Sequence, residues 1–127
     1  MKVGIYSELT ERAALGGREF IVAVLAEAFR ERGDEVEYVH HLPDLTASDF
    51  EDRFGIARGS IQLRLLPPHS PATLRTFLGW RRELRAWQRS VSGGYDLFIC
   101  IAHDVPVRSF SSAGGLMVLF PFFRPYD

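Results

Sequence analysis

Four groups of side chains in this 127-residue sequence have the types and spacing that chemistry at a bound ligand requires. The first is Leu15-Gly16-Gly17-Arg18-Glu19. Two glycines let a backbone approach a ligand closely, because no Cβ stands in the way. A glycine also leaves the first-turn N–H groups of a following helix without a side-chain cap. Those groups and the helix dipole favour an anion such as a diphosphate. The same pair reads equally as a tight turn into the helix. His103-Asp104 is the second group, able to hydrogen-bond a ligand hydroxyl or to take part in proton transfer. Neighbours in an extended segment point opposite ways, so it reads also as a loop histidine beside a capping aspartate. The third group, His40-His41, has the same ambiguity, and a metal would need a converging third ligand. The fourth holds Arg75, Arg81, Arg82, Arg85 and Arg89 against one acid, Glu83. Arg75, Arg82, Arg85 and Arg89 follow at steps of 7, 3 and 4, which puts them on one helix face. With Trp80 and Trp87 nearby, that face suits anionic lipid headgroups; it suits a plain solvated surface as well.

The elements that must position these groups alternate along the chain. Lys2 to Ser7 reads as a strand, followed by a loop to Gly17. From Arg18 to Arg32 the residues Phe20, Ile21, Val24, Leu25, Ala28 and Phe29 have the spacing of an amphipathic helix, with Gly33 as its C-terminal cap. Glu35 to Val39 predicts a second strand with one acidic face, near a sheet edge. Ala47 to Ile56 predicts a short helix capped by Ser48. Ile61 to Leu65 alternates as a third strand ended by Pro67-Pro68. Ser70-Pro71 opens a long helix with the apolar stripe Leu74, Phe77, Leu78, Leu84, Trp87 and Val91, stopped by Gly93-Gly94. Tyr95 to Ile101 is a continuously apolar strand after Asp96, and a polar loop from His103 to Gly115 leads to the apolar run Leu116 to Phe123. Strands separated by helices predict an α/β fold, a Rossmann-like three-layer sandwich with a mainly parallel sheet of about five strands. Residues 1–127 form a single domain on this reading. Ligands of such sheets gather at the carboxyl ends of the strands. Ser7 to Gly17, His40 to Pro43, Ala102 to Pro106 and Pro121 to Arg124 fall there.

Composition narrows the classes. Hydrophobic residues make up 46% of the chain, enough for a real core and too many for a disordered segment. No apolar run reaches the 18 or so residues that span a bilayer. One cysteine, Cys100, cannot pair within the chain, which suits a reducing compartment; it falls in an apolar strand as inert core. The net charge of −1 argues against bulk nucleic-acid binding. Charge is unevenly spread: residues 1–66 carry 8 basic and 12 acidic side chains, residues 67–127 carry 7 and 4. The dinucleotide fingerprint Gly-x-Gly-x-x-Gly and the phosphate loop with its lysine are both absent.

Order and spacing carry a resemblance. The strand Lys2 to Ser7, the loop with Gly16-Gly17 and the helix containing Val24-Leu25-Ala26-Glu27-Ala28-Phe29 resemble the start of a retaining GT-B glycosyltransferase of the family 4, group 1 type. Arg32-Gly33-Asp34-Glu35-Val36 and Tyr95-Asp96-Leu97-Phe98-Ile99 resemble that family's entries to its second and fourth strands. The match covers residues 1–42 and 95–123. It implies an amino-terminal, acceptor-side domain of an enzyme that uses a nucleotide-sugar as donor substrate and no cofactor. Gly16 and Gly17 then form the donor-phosphate loop, and His103 and Asp104 line the cleft for a carbohydrate or lipid-linked acceptor. The family's second Rossmann domain, with its E-x7-E motif, is the missing partner: Glu27/Glu31 and Asp49/Glu51/Asp52 have the wrong spacing. The histidine often found after the fifth strand is also absent from Leu119-Phe120-Pro121-Phe122. A cytoplasmic location, peripheral to the inner membrane face through Arg75, Arg82, Arg85 and Arg89, follows as an expectation. The alternative is a stand-alone Rossmann- or flavodoxin-like module that binds a phosphate-bearing ligand without catalysis.

Overall fold

The computed structural model describes residues 1–57, 59–68, 77–102 and 106–118. Five strands form one sheet: β1 (Lys2–Ser7), β2 (Glu35–His40), β3 (Gln62–Leu65), β4 (Leu97–Ala102) and β5 (Ala113–Val118). Their order is β3-β2-β1-β4-β5 and every pairing is parallel. Three helices accompany them: α1 (Gly17–Glu31), α2 (Ala47–Phe54) and α3 (Phe77–Ser92), with a 3-10 turn at Arg12–Ala14. This is the Rossmann-like α/β arrangement that the alternating pattern predicts. None of the described helices is long and apolar enough to cross a membrane.

Strand β1 is central because both of its faces are apolar. Val3 and Ile5 point to one side, into a core with Val22, Ala23 and Ala26 of α1 and Phe50 of α2. Tyr6 points to the other, into a core with Val39, Phe98, Cys100 and Val91 of α3. Successive residues of a strand face opposite ways, so one alternating sequence feeds two cores. Helix ends follow local chemistry. Gly33, after α1, takes φ +86°, a conformation that favours glycine. Helix α2 is capped by Thr46, whose N–H donates to Asp49 Oδ2 at 2.8 Å, and not by Ser48.

The acidic strand β2 lies near the sheet edge, paired on its outer side with the edge strand β3. Glu37 is accommodated because the Tyr95 hydroxyl donates to its Oε1 at 2.6 Å and Arg64 lies 3.7 Å away. Arg64 also donates to the Tyr95 hydroxyl at 3.0 Å and to the Ser90 carbonyl at 2.7 Å. The last strand starts earlier than its apolar run suggests, at Ala113, and includes Gly114-Gly115. Residues 119–123 of that run, and Ser70, Pro71 and Leu74 of the predicted long helix, lie outside the described residues.

The Tyr95 ring lies directly over β1. A Cβ at Gly4 would sit 2.6 Å from it, well inside contact distance. Gly4→Ala must therefore displace a buried ring that is tied to Glu37 and Arg64. The expected loss is about 1–3 kcal/mol of unfolding free energy in urea titration. An unchanged midpoint would show that Tyr95 does not pack as described.

Candidate functional site

In this strand order the chain runs outward from β1 to β2 and β3, then crosses back to β4 beside β1. Connections from β1 and β4 thus leave in opposite directions, which opens a crevice at their carboxyl ends. Ser7 and Ile101 are paired in register at that rim. Gly16-Gly17 follows β1. His103 and Asp104 follow Ala102 in sequence and lie outside the described residues.

The loop from β1 to α1 is anchored before it reaches the glycines. Leu9 is fully buried, its carbonyl accepting from the His41 N–H at 3.0 Å. Arg12 bonds Asp49 at 2.8 Å and Asp44 at 3.2 Å, tying the loop to α2 and the segment before it. Those two aspartates hold the Arg12 guanidinium above its ordinary pKa, the Asp49 hydrogen bond being the larger cause.

Glu19, in the first turn of α1, has no solvent exposure at all. Its Oε2 accepts from the Gly16 N–H at 2.9 Å, and its Oε1 from the Ser7 hydroxyl at 3.3 Å. Ser7 is in turn hydrogen-bonded to the Tyr38 hydroxyl. Since Ser7 donates to Glu19, Tyr38 donates to Ser7. Burial raises the Tyr38 pKa and keeps it a donor. The helix start is therefore not bare, as the glycine pair suggests. Gly16 supplies no cap, but Glu19 reaches back to the Gly16 N–H and places the chain's own acidic group in the first turn.

What stays open lies one residue on. Intrahelical bonding begins with Phe20 N–H to the Gly16 carbonyl at 3.0 Å, so the N–H groups of Gly17, Arg18 and Glu19 have no partner within the helix. Gly17 has no positive φ, and nothing stands within 4 Å of where its Cβ would be. Neither backbone conformation nor packing demands glycine there. The half-buried Arg18 guanidinium is near enough to oppose the upward pull of burial on the Tyr6 and Tyr38 hydroxyls. Among the described residues Arg18 forms no ion pair.

The opposite face of the sheet carries a second polar cluster. His41 Nδ1 lies 2.8 Å from the Leu66 carbonyl, which can only accept. That fixes the proton on Nδ1 and leaves Nε2 to accept from the Tyr6 hydroxyl at 2.9 Å. Trp87 stacks on His41 with centroids 6.0 Å apart, and its Nε1–H donates to the Pro67 carbonyl at 3.1 Å. His41 and Trp87 thus clasp the exit of β3. His40 faces the other way, stacked on Tyr38, with Nδ1 accepting from the Leu42 N–H at 3.1 Å. The two histidines sit on opposite faces and cannot chelate together. No group of three metal-ligating side chains converges among the described residues. Cys100 is buried, with its thiol pKa raised by that burial.

Arg82, Arg85 and Arg89 are exposed on α3, while Arg75 lies outside the described residues. Two shallow depressions lie among the described residues. One, of about 510 Å³, is lined by Arg12, Leu15, Asp49, Asp52 and Arg53; the other, of about 390 Å³, runs from Pro106 to Leu116 along β5. Sequence reasoning singled out the glycines and histidines, named Arg18 and Glu19 without giving them a role, and missed Tyr6 and Tyr38. Glu19 had a readable signal, an acid three residues after a helix-opening glycine. No protein-family model, curated protein or solved structure matches this chain.

Burial lowers the His40 pKa from 6.5 to about 4, helped by the neighbouring His41. Below pH 6.5 the unfolded chain takes up a proton that the folded one refuses, so stability falls as pH drops from 6.5 towards 4. The full effect is up to about 3 kcal/mol. His40→Asn keeps an acceptor for the Leu42 N–H and cannot titrate. Urea midpoints measured across this range should fall more steeply for the wild type than for the variant; parallel curves would remove His40 as the cause.

Proposed function

We propose that this chain is the acceptor-side, Rossmann-like domain of a glycosyltransferase that moves a sugar from a nucleotide-sugar donor. One observation carries the reading: β1 and β4 are parallel neighbours with Ser7 and Ile101 in register, so the Gly16-Gly17 loop follows a strand whose carboxyl end lies beside that of β4. The resemblance of residues 1–42 and 95–123 to GT-B enzymes supports it. In the reaction the anomeric carbon–oxygen bond to the diphosphate breaks and an acceptor hydroxyl bonds to the anomeric carbon. The acceptor proton leaves to a base or to solvent, and a nucleoside diphosphate is released.

The residues divide that work. The N–H groups of Gly17 and Arg18 face the diphosphate, and the Arg18 guanidinium offsets its charge. The Gly16 N–H is held by Glu19 and does not face the diphosphate. Glu19 fixes the loop and, as an acid near the site, makes the Arg18 charge necessary for anion binding. His103 and Asp104 line the acceptor side. A second Rossmann domain supplies the rest of the donor site.

A stand-alone module that holds a phosphate-bearing ligand is the second reading, favoured by the fact that Gly17, Arg18 and the helix N-terminus all belong to this chain. Calorimetry separates the two. Residues 1–127 alone should bind nucleotide sugars weakly or not at all; submicromolar binding would move the reading to the module. Gly17→Ala tests the loop in the two-domain enzyme. The variant should gain about 0.5–1 kcal/mol in stability, because alanine suits a helix better, and yet lose turnover. Unchanged turnover would reduce Gly16-Gly17 to a turn.

A further inference from the structure

The arginines of α3 do not stand alone. Arg82, Arg85 and Arg89 lie on one exposed face of the helix, at steps of 3 and 4 residues. Arg108, also exposed, comes from the segment before β5, and its guanidinium lies 5.3 Å from the Phe110 ring centroid. Arg89 lies 5.0 Å from the same ring. Two hydrogen bonds hold that segment against the helix: the Ser92 hydroxyl donates to the Arg108 carbonyl at 2.7 Å and accepts from the Phe110 N–H at 2.9 Å. The patch is thus a built surface spanning two elements, with four guanidinium groups. The helix's acid, Glu83, is turned about a third of a revolution away. Trp80 lies about half a turn from the arginines, on the side of the helix that carries Trp87, and is not part of the patch. Trp87 does not contribute, because it packs against Tyr6 and His41.

We infer that this face docks on the surface of a bilayer containing anionic lipid. Charge complementarity selects an anionic partner, and shape selects a plane. A helix face is convex, so it offers a strip of guanidinium groups to a surface and no groove to an extended peptide. Planar guanidinium groups pair well with lipid phosphates. The inference is independent of glycosyl transfer.

Vesicle cosedimentation of the intact chain tests it. Binding is expected to phosphatidylcholine vesicles with about 30% phosphatidylglycerol, not to pure phosphatidylcholine, and to be lost in about 0.5 M salt. Each arginine should strengthen binding about fivefold, so Arg82→Gln/Arg85→Gln/Arg89→Gln should weaken it about 100-fold with unchanged circular dichroism. Arg108→Gln should weaken it about fivefold, a loss that α3 alone would not predict. Equal binding to neutral vesicles, no vesicle binding, retention on heparin without vesicle binding, or full affinity in the triple variant would each overturn the inference.

Discussion

A carboxyl group with no access to water, Glu19, holds the amino end of α1 against the carboxyl end of the sheet. Burying such a group is costly unless its oxygens are hydrogen-bonded. Here the Gly16 N–H and the Ser7 hydroxyl supply those bonds, and Tyr38 orients Ser7 from the next strand. The turn at Gly16, the start of α1 and the ends of β1 and β2 are consequently one unit. The crevice inherits its shape from it. Glu19 also sets the electrostatics, since an acid already occupies part of the positive end of the helix.

The two faces of the sheet use polar residues differently. On the α1 side the buried chain Tyr38–Ser7–Glu19 stands next to the open helix terminus. On the α3 side, Tyr6, His41 and Trp87 close over the exit of β3. Lower on that face, Tyr95, Glu37 and Arg64 join β2, β3 and α3 across the glycine at position 4. That network explains how an acidic strand comes to be interior. Polar groups among the described residues chiefly lock elements to each other.

The charge distribution follows the same division. Residues 1–66 carry the acidic excess and much of it is spent in pairs such as Arg12 with Asp44 and Asp49. The basic excess of the second half is displayed: three arginines of α3 and Arg108 converge on the outer face of the α3 layer. A near-neutral total thus conceals a locally strong basic surface.

Much of the fold was legible because it rests on periodicity. The apolar runs at Lys2–Ser7 and Tyr95–Ile101 and their alternation with helices identify a parallel α/β sheet without any knowledge of contacts. The buried face of α1 is not the stripe that its spacing suggested: Val22, Ala23 and Ala26 are buried, while Phe20 and Val24 are exposed. The full strand order was not legible: the acids of β2 indicated only a place near an edge, and the contacts with Tyr95 and Arg64 show how a strand paired on both sides tolerates Glu37. Nor could the sequence show that Trp87 turns inward, that His40 and His41 part to opposite faces, or that Glu19, twelve residues from Ser7, shares a hydrogen bond with it. Local chemistry determined the elements and where they begin and end, because propensity and amphipathic spacing act over a few residues. Tertiary structure decided which polar groups are satisfied and which are left to meet a ligand, because that depends on partners brought together from distant parts of the chain.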